Sequence, residues 1–106
     1  MKLSTVLGVL ALSLCTSLAY AAGDPVAGKM KAQVCMGCHG IPGYRNAAPA
    51  YHVPKLGGQQ AAYIIAALKE YKNGGRNHPT MHAQAASLSE QDMADIAAFF
   101  SSLKAN

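Results

Sequence analysis

The sequence is short of cysteine, and this shortage narrows the class of protein. It contains three cysteines in 106 residues, and only Cys35 and Cys38 lie beyond the apolar N-terminal segment. A structural zinc site usually takes four Cys or His ligands, and two neighbouring cysteines cannot close a useful disulfide loop. A structural zinc site and a stabilising disulfide are therefore both disfavoured. A domain this short nevertheless needs a metal or a large cofactor to supplement its core.

Runs of basic residues are also missing. Nine Lys and Arg against five Asp and Glu give a formal net charge of +4 at pH 7, but the basic residues are scattered along the chain. Proteins that bind nucleic acid usually cluster Lys and Arg in a patch or a run. We therefore expect neither nucleic acid nor an anionic membrane as a partner, and we interpret the charge as a solvated surface.

The N-terminal segment is the one long stretch without charge. Lys2 is followed by the apolar run 3–19, which leads into the small residues 19–22. A charged tip, an apolar stretch and a small-residue cleavage site are typical of a secretory signal peptide. We expect residues 1–22 to be removed, together with Cys15, on export to the periplasm. An uncleaved membrane anchor is the alternative, because the run is near the minimum length that spans a bilayer.

No stretch alternates apolar and polar residues as a half-buried strand does, and there is no internal repeat. Apolar residues recur instead at helical spacing in three segments of residues 23–106, so the sequence predicts an all-α domain. The first helix begins at Asp24 as N-cap, with Pro25 in its first turn, and extends to the region of Cys35. The apolar face of this helix, which we assign to the core, consists of Val26, Met30 and Val34.

Two further helices complete the predicted domain. The second spans about residues 59–72 and ends before a Gly-Gly pair. The third begins at Ser89 as N-cap, with Asp92 as its capping-box partner. The segments 39–56 and 76–87 hold prolines and few periodic apolar residues, so both are predicted to be irregular and the longer one to wrap around a cofactor.

The most specific motif is Cys35-Met36-Gly37-Cys38-His39, because CxxCH is the attachment signal of a c-type haem. Two thiols three positions apart on a helical turn can each add to one of the two vinyl groups on one porphyrin edge. His39 then follows as an axial ligand of the iron. The rival interpretation is a thioredoxin-like redox pair, but such a pair follows a strand in a βαβ unit. We therefore predict one covalently bound haem.

The second axial ligand is sought among the remaining methionines and histidines. Met30 and Met93 fit helical apolar faces, and Met36 lies between the thiols. Met81 lies in a predicted irregular segment, where no such face explains it, so we predict Met81 as the ligand. The alternatives are His52, His78 and His82. Ligation by His39 and Met81 would favour the ferrous state and leave no open position for a substrate, which argues for electron transfer and against catalysis.

With these features the chain resembles the class I cytochromes c of the small proteobacterial periplasmic type. The resemblance covers residues 23–103, including the CxxCH motif and Met81. It also rests on the stretches Pro54–Gln59, Tyr71–Arg76, Leu88–Asp92 and Ile96–Phe100. It implies the class I cytochrome c fold, in which three main helices and their loops surround one haem.

The resemblance also implies three residue roles. The first and last helices are expected to cross where Gly28 meets Phe99, which agrees with the tolerance of a helix-interior Gly at a close approach. The carbonyl of Pro49 is expected to accept a hydrogen bond from the ring of His39 and so to fix its orientation. Arg76 is expected to bind a haem propionate.

Together these features predict a soluble periplasmic carrier of single electrons between larger redox proteins, and no enzyme activity. Basic side chains around the haem edge would steer an acidic partner. The candidates are Lys29, Lys31, Lys55, Lys69 and Lys72. A haem subunit bound permanently to a periplasmic dehydrogenase or oxidase is the alternative, and it should expose a larger apolar patch. A gas sensor or peroxidase-like enzyme would need an open iron position, and dimerisation through exposed haem edges also stays open.

Overall fold

The computed structural model describes residues 23–47 and 50–105, so the predicted signal peptide at 1–22 lies outside the described residues. In chain order the elements are α1 Pro25–Lys31, α2 Gln33–His39, β1 Arg45–Ala47, β2 Ala50–His52, α3 Ala61–Asn73, α4 Pro79–Ala85 and α5 Glu90–Ser102. The domain is mostly helical, as predicted. In the described ranges, each helix is too short or too polar to cross a bilayer.

The first predicted helix is present but divided. Asp24 is its N-cap and accepts a hydrogen bond from the Val26 N–H, and Pro25 occupies the first turn. A single turn residue, Ala32, separates α1 from α2. The start of this helix is therefore confirmed, whereas no local pattern of residues predicted the break.

The buried face of α1 differs from the predicted one. Gly28 and Ala32 are buried, whereas the three predicted core residues are exposed. Their exposed fractions are 76% for Val26, 67% for Met30 and 71% for Val34. The assignment of this apolar face to the core is therefore wrong, because small residues occupy the face that meets α5.

The crossing of α1 and α5 is close enough to require glycine. A Cβ atom on Gly28 would lie 1.9 Å from the carbonyl oxygen of Asp95 and 2.9 Å from the Cβ of Phe99. The expected crossing of Gly28 and Phe99 is confirmed, and it brings the two helix backbones almost into contact. The first and last helices of the domain are thereby packed against each other.

A buried carboxylate reinforces this crossing. Asp95 is 3% exposed, and its Oδ1 accepts hydrogen bonds from the Asp24 N–H and the Gln91 Nε2, each at 2.8 Å. Lys31 Nζ lies 2.7 Å from the Oδ2 of Asp95 and 2.8 Å from Asp92. Lys31, supported by these N–H donors, lowers the pKa of Asp95 to about 2. The network links α1 to α5 by charge as well as by shape.

The rest of the core lies between α3 and α5. Ile64 and Leu68 of α3 pack with the largest fully buried side chains of α5, which are Met93, Ile96 and Phe100. The Ser89 and Asp92 capping box predicted for α5 is confirmed in both of its hydrogen bonds. Gly74 ends α3 with a φ of +88°, a conformation that glycine adopts without strain.

Both segments predicted to be irregular contain regular structure. β1 and β2 form a two-stranded antiparallel hairpin in which Arg45 pairs with His52. Residues 79–85 form α4, with His78 as N-cap and Pro79 in the first turn. The prediction of irregular structure around Pro79 is wrong, because proline fits the first helical turn and His78 provides an unusual side-chain cap.

Candidate cofactor site

A cleft of about 430 Å³ lies beside α3, within the usual range of ligand pockets of about 300–1,000 Å³. Cys35, Cys38 and His39 of α2 line it, and so does Met81 of α4. The segment that follows the hairpin, 53–56, and apolar residues of α3 complete much of its lining. The four residues of the predicted haem site therefore share one cavity.

Helix α2 presents the two thiols. Cys35 and Cys38 are both half-buried and form no disulfide. Burial raises the pKa of the Cys35 thiol above its ordinary value. Reactive CxxC pairs of the thioredoxin type have a lowered thiol pKa, so this environment disfavours that interpretation. The thiols are positioned along the wall of a cleft instead.

The imidazole of His39 is oriented by a backbone carbonyl. Its Nδ1 lies 2.6 Å from the carbonyl oxygen of Pro54. Because a carbonyl only accepts, Nδ1 carries a proton, and in the neutral ring Nε2 therefore keeps its lone pair. The neutral imidazole is therefore set in the tautomer that can bind a metal through Nε2.

The carbonyl beside His39 is not the one expected. Pro49 lies outside the described residues, and the partner of the ring is Pro54. Pro54 lies two residues beyond the end of β2, which pairs with β1 in the hairpin. In the described residues this role belongs to Pro54, five residues along the chain from Pro49, and nothing local in the sequence distinguishes the two prolines.

The alternative histidine ligands differ in their surroundings. His82 is exposed, does not line the cleft, and its Nδ1 lies 2.8 Å from the carbonyl oxygen of Tyr71. His78 lines the cleft, but its Nδ1 accepts a hydrogen bond from the Met81 N–H at 3.3 Å. In that neutral ring Nε2 carries the proton, so neither nitrogen offers a free lone pair. His52 lines the cleft and is exposed.

Among the methionines of the described residues, Met81 alone lines the cleft. It is the third residue of α4, half-buried, and it packs against the hydrophobic core. Met93 is 1% exposed inside that core, whereas Met30 is 67% exposed. Met81 therefore lies in a helix, so the predicted irregular segment is wrong, but Met81 does line the cavity of the predicted haem site.

Two basic side chains, Arg76 and Lys55, also line the cleft. Arg76 donates from Nε to Glu70 at 2.7 Å and from NH2 to the Tyr63 hydroxyl at 3.3 Å. Its guanidinium lies 5.3 Å from the centre of the Tyr71 ring. The hydroxyl of Tyr63, with Tyr71 and Glu70, raises the pKa of Arg76 further above its ordinary value. The group is a fixed positive charge at the cleft.

This set of donors fits a haem better than a bare metal ion. In the described ranges, no three His, Cys, Asp or Glu side chains come together as a metal site. One imidazole and one thioether suit the axial positions of an iron whose other four ligands belong to a porphyrin. Two thiols on one wall suit its vinyl groups, and two basic side chains suit its two propionates.

Comparisons with known proteins agree on one family. A cytochrome c profile matches residues 25–104. Cytochrome c4 of Pseudomonas aeruginosa is 46% identical over 84% of this chain and 43% of its own length. Cytochrome c-554(548) of Halomonas halodenitrificans is 44% identical over 76% of this chain and 98% of its own length. This chain therefore spans about half the length of that cytochrome c4.

A solved structure shows the same similarity. The cytochrome c4 of Acidithiobacillus ferrooxidans aligns with a TM-score of 0.59 and 30% identity, over 79% of this chain and 53% of its own. That structure was described as supporting a complex-induced tuning of electron transfer. The fold common to the two is the mostly helical one that surrounds the cleft.

Proposed function

Because the chain belongs to the cytochrome c family, we propose that it binds one haem covalently and carries single electrons between larger redox proteins. The observation that carries this proposal is the meeting of Cys35, Cys38, His39 and Met81 in one cleft. When bound, the haem supplies an iron that alternates between the ferric and ferrous states. The cysteines would hold the porphyrin by thioether bonds, and His39 and Met81 would be the axial ligands.

The side chains around the cleft would orient and tune the group. The Pro54 carbonyl would fix the His39 ring and raise its basicity, because it accepts the proton of the nitrogen that does not bind metal. Arg76 and Lys55 would offset the charge of the propionates. Apolar residues of α3, such as Ile64 and Leu68, would exclude water from the porphyrin face.

We further propose that the protein is a carrier and not an enzyme. His39 of α2 and Met81 of α4 would both bind the iron and would leave it no open position for a substrate. Carbon monoxide should then fail to bind the ferrous protein at neutral pH. Rapid binding would instead favour the gas sensor or peroxidase-like alternative. The apolar run 3–19 that follows Lys2 supports export to the periplasm, where c-type haem is attached.

The described ion pairs narrow the set of lysines that could steer a partner. Lys31 is bound to Asp92 and Asp95, and Lys69 lies 3.4 Å from Glu90. Lys72 donates to the carbonyl oxygen of Leu88 at 2.5 Å. Lys29 and Lys55 make no ion pair with the described residues, so they are the better candidates for attracting an acidic redox partner. Lys55 also lies at the cleft itself.

One observation favours a second candidate, a permanent complex. The outward face of α1 and α2 exposes Val26, Met30 and Val34. Val34 also lines the cleft, so this apolar face is continuous with the haem site. Exposed apolar patches are common at protein interfaces. Sedimentation of the purified protein would separate the cases, because a free carrier is a monomer, whereas a homodimer or a subunit of a larger dehydrogenase or oxidase is not.

The decisive experiment is spectroscopic. Ferric and ferrous spectra of the purified protein should show a low-spin c-type haem with a near-infrared thioether-to-iron band. Met81→Ala should abolish that band, whereas the matched control Met30→Ala, an exposed methionine away from the cleft, should retain it. A parent spectrum without the band would overturn ligation by Met81, and a high-spin parent would overturn the electron-carrier proposal.

A further inference from the structure

The first turn of α4 is held by contacts from different parts of the chain. His78 is the N-cap of this helix, and its Nδ1 accepts a hydrogen bond at 3.3 Å from the Met81 N–H. The cap therefore bonds the backbone amide of the candidate iron ligand itself. A helix N-cap fixes the entry of the chain into the helix, and here that entry determines where the Met81 side chain begins.

Two tyrosines from other elements hold the His78 ring. The ring of Tyr51 in β2 lies edge-on to it, with centroids 4.9 Å apart and an interplanar angle of 82°. The ring of Tyr71 near the end of α3 lies 5.9 Å away at 78°. Such edge-to-face contacts are favourable because the positive edge of one ring meets the negative face of another. The imidazole is therefore fixed between the hairpin and α3.

The hairpin also contacts the same turn directly. The Tyr51 hydroxyl donates to the Oγ1 of Thr80 at 3.2 Å. Thr80 is the second residue of α4, so β2 contacts both the N-cap and the residue that precedes Met81. A small N-cap such as Ser or Asp would satisfy the amide but could not reach two aromatic rings.

We propose that His78 is a positioning residue that holds Met81 in place for the iron, acting through the N-cap hydrogen bond and through its contacts with Tyr51 and Tyr71. The inference rests on the proposed ligation by Met81. His78 itself stays off the iron, because its Nδ1 is occupied by the Met81 N–H. Its contribution is to reduce the freedom of the turn from which the thioether reaches the cleft.

Competition with added imidazole measures how firmly Met81 is held. Imidazole must displace the thioether to bind the ferric holoprotein, so its dissociation constant reports the equilibrium of Met81 ligation. Replacement of an N-cap by Ala typically changes a helix equilibrium by about fivefold. We therefore expect His78→Ala to bind imidazole about fivefold more tightly than the parent, with a weaker near-infrared thioether band.

Two further variants identify the cause. His78→Asn keeps an N-cap acceptor but loses the ring contacts, so its imidazole dissociation constant should lie between those of the parent and of His78→Ala. His82→Ala removes an exposed histidine of the same helix that does not line the cleft, and it should match the parent. Far-UV circular dichroism of each holoprotein would confirm that all three remain folded.

Each other result contradicts the inference in a recognisable way. If His78→Ala has the same imidazole dissociation constant as the parent, and the parent shows the thioether band, the positioning role is overturned. Ligation by Met81 is then unaffected. An equal change in His82→Ala, or no recovery in His78→Asn, would also overturn it. A parent without the thioether band would overturn both proposals, because Met81 would then not be the iron ligand.

Discussion

The crossing of α1 and α5 and the cleft beside α3 are built in different ways. At the crossing, Gly28 has no room for a Cβ atom, and the buried Asp95 receives hydrogen bonds from three donors. Around the cleft, Cys35, His39 and Met81 are only half-buried. The crossing is a closely packed contact between helices, whereas the cleft is an open cavity that can bind a cofactor.

Because the two regions differ in this way, the stability of the fold and the chemistry of the haem site should depend on different residues. Substitutions at the crossing should change the free energy of unfolding and leave the haem spectrum unchanged. Substitutions at the cleft should change the spectrum or the iron ligands first. Each region should therefore be open to substitution without affecting the other.

The largest effect on stability is expected for Gly28→Val. The new side chain would collide with the Asp95 carbonyl and force α1 away from α5, which should cost at least about 3 kcal/mol of unfolding free energy. Urea unfolding of the holoprotein would measure the loss, and the near-infrared band of the folded variant should match the parent.

The control for this variant is Gly37→Ala in α2, where an added Cβ meets no atom within 4 Å. It should be neutral or stabilising by up to about 1 kcal/mol, because alanine favours a helix more than glycine does. An unchanged unfolding midpoint in Gly28→Val would show that the crossing is not the close contact described above.

The next effect concerns acid stability. Lys31 and nearby N–H donors lower the pKa of Asp92 and of Asp95 to about 2 each, against an ordinary value of about 3.9. Because these folded-state pKa values are lowered, the carboxylates contribute stability above about pH 4 and lose it as the pH falls towards 2. Lys31→Met should lower the free energy of unfolding at neutral pH. It should also make the decline in that free energy between about pH 4 and pH 2 less steep.

Urea midpoints of the holoprotein at matched pH values would test this prediction. Glu90→Gln is the control, because it removes only an exposed carboxylate 3.4 Å from Lys69 and should retain the acid decline of the parent. A parental pH dependence in Lys31→Met would show that the α1–α5 network does not govern acid stability.

The smallest effect is expected for Tyr51→Phe on the cleft side. The substitution removes the exposed hydrogen bond to Thr80 but keeps the ring that contacts His78, so it should cost no more than about 1 kcal/mol. Thermal unfolding of Tyr51→Phe would measure the cost. Tyr44→Phe is the control, because the Tyr44 hydroxyl has no hydrogen bond in the described ranges, so the difference between the two variants reports the Tyr51–Thr80 bond. A cost above about 2 kcal/mol would mean that the hairpin contributes to stability as strongly as the crossing.

Local signals in the sequence predicted the helix ends that depend on nearby residues. Asp24 caps α1 and the Ser89–Asp92 pair caps α5, because each cap is completed within three residues. The unconventional cap was missed. Residues 79–85 form a helix that begins at a histidine and has seven residues, too few for a clear apolar period.

Hydrophobicity is a poor guide to the buried face of α1. Val26, Met30 and Val34 correctly indicated a helix, but the face that packs on α5 contains Gly28 and Ala32. Close helix contact selects small residues, so the most apolar face of such a helix need not be the buried one. Only the Gly28 signal, taken with an aromatic residue of α5, pointed to the true contact.

The sequence by itself determined the attachment motif 35–39, the helices at both ends of the domain and the crossing through Gly28. These features follow from residues close in the chain or from a steric requirement that glycine alone satisfies. The tertiary structure decided that Pro54 contacts His39, that Met81 starts a helix, and that His78 caps it. Those contacts join segments that are distant in sequence, and only the folded path of the chain specifies where such segments meet.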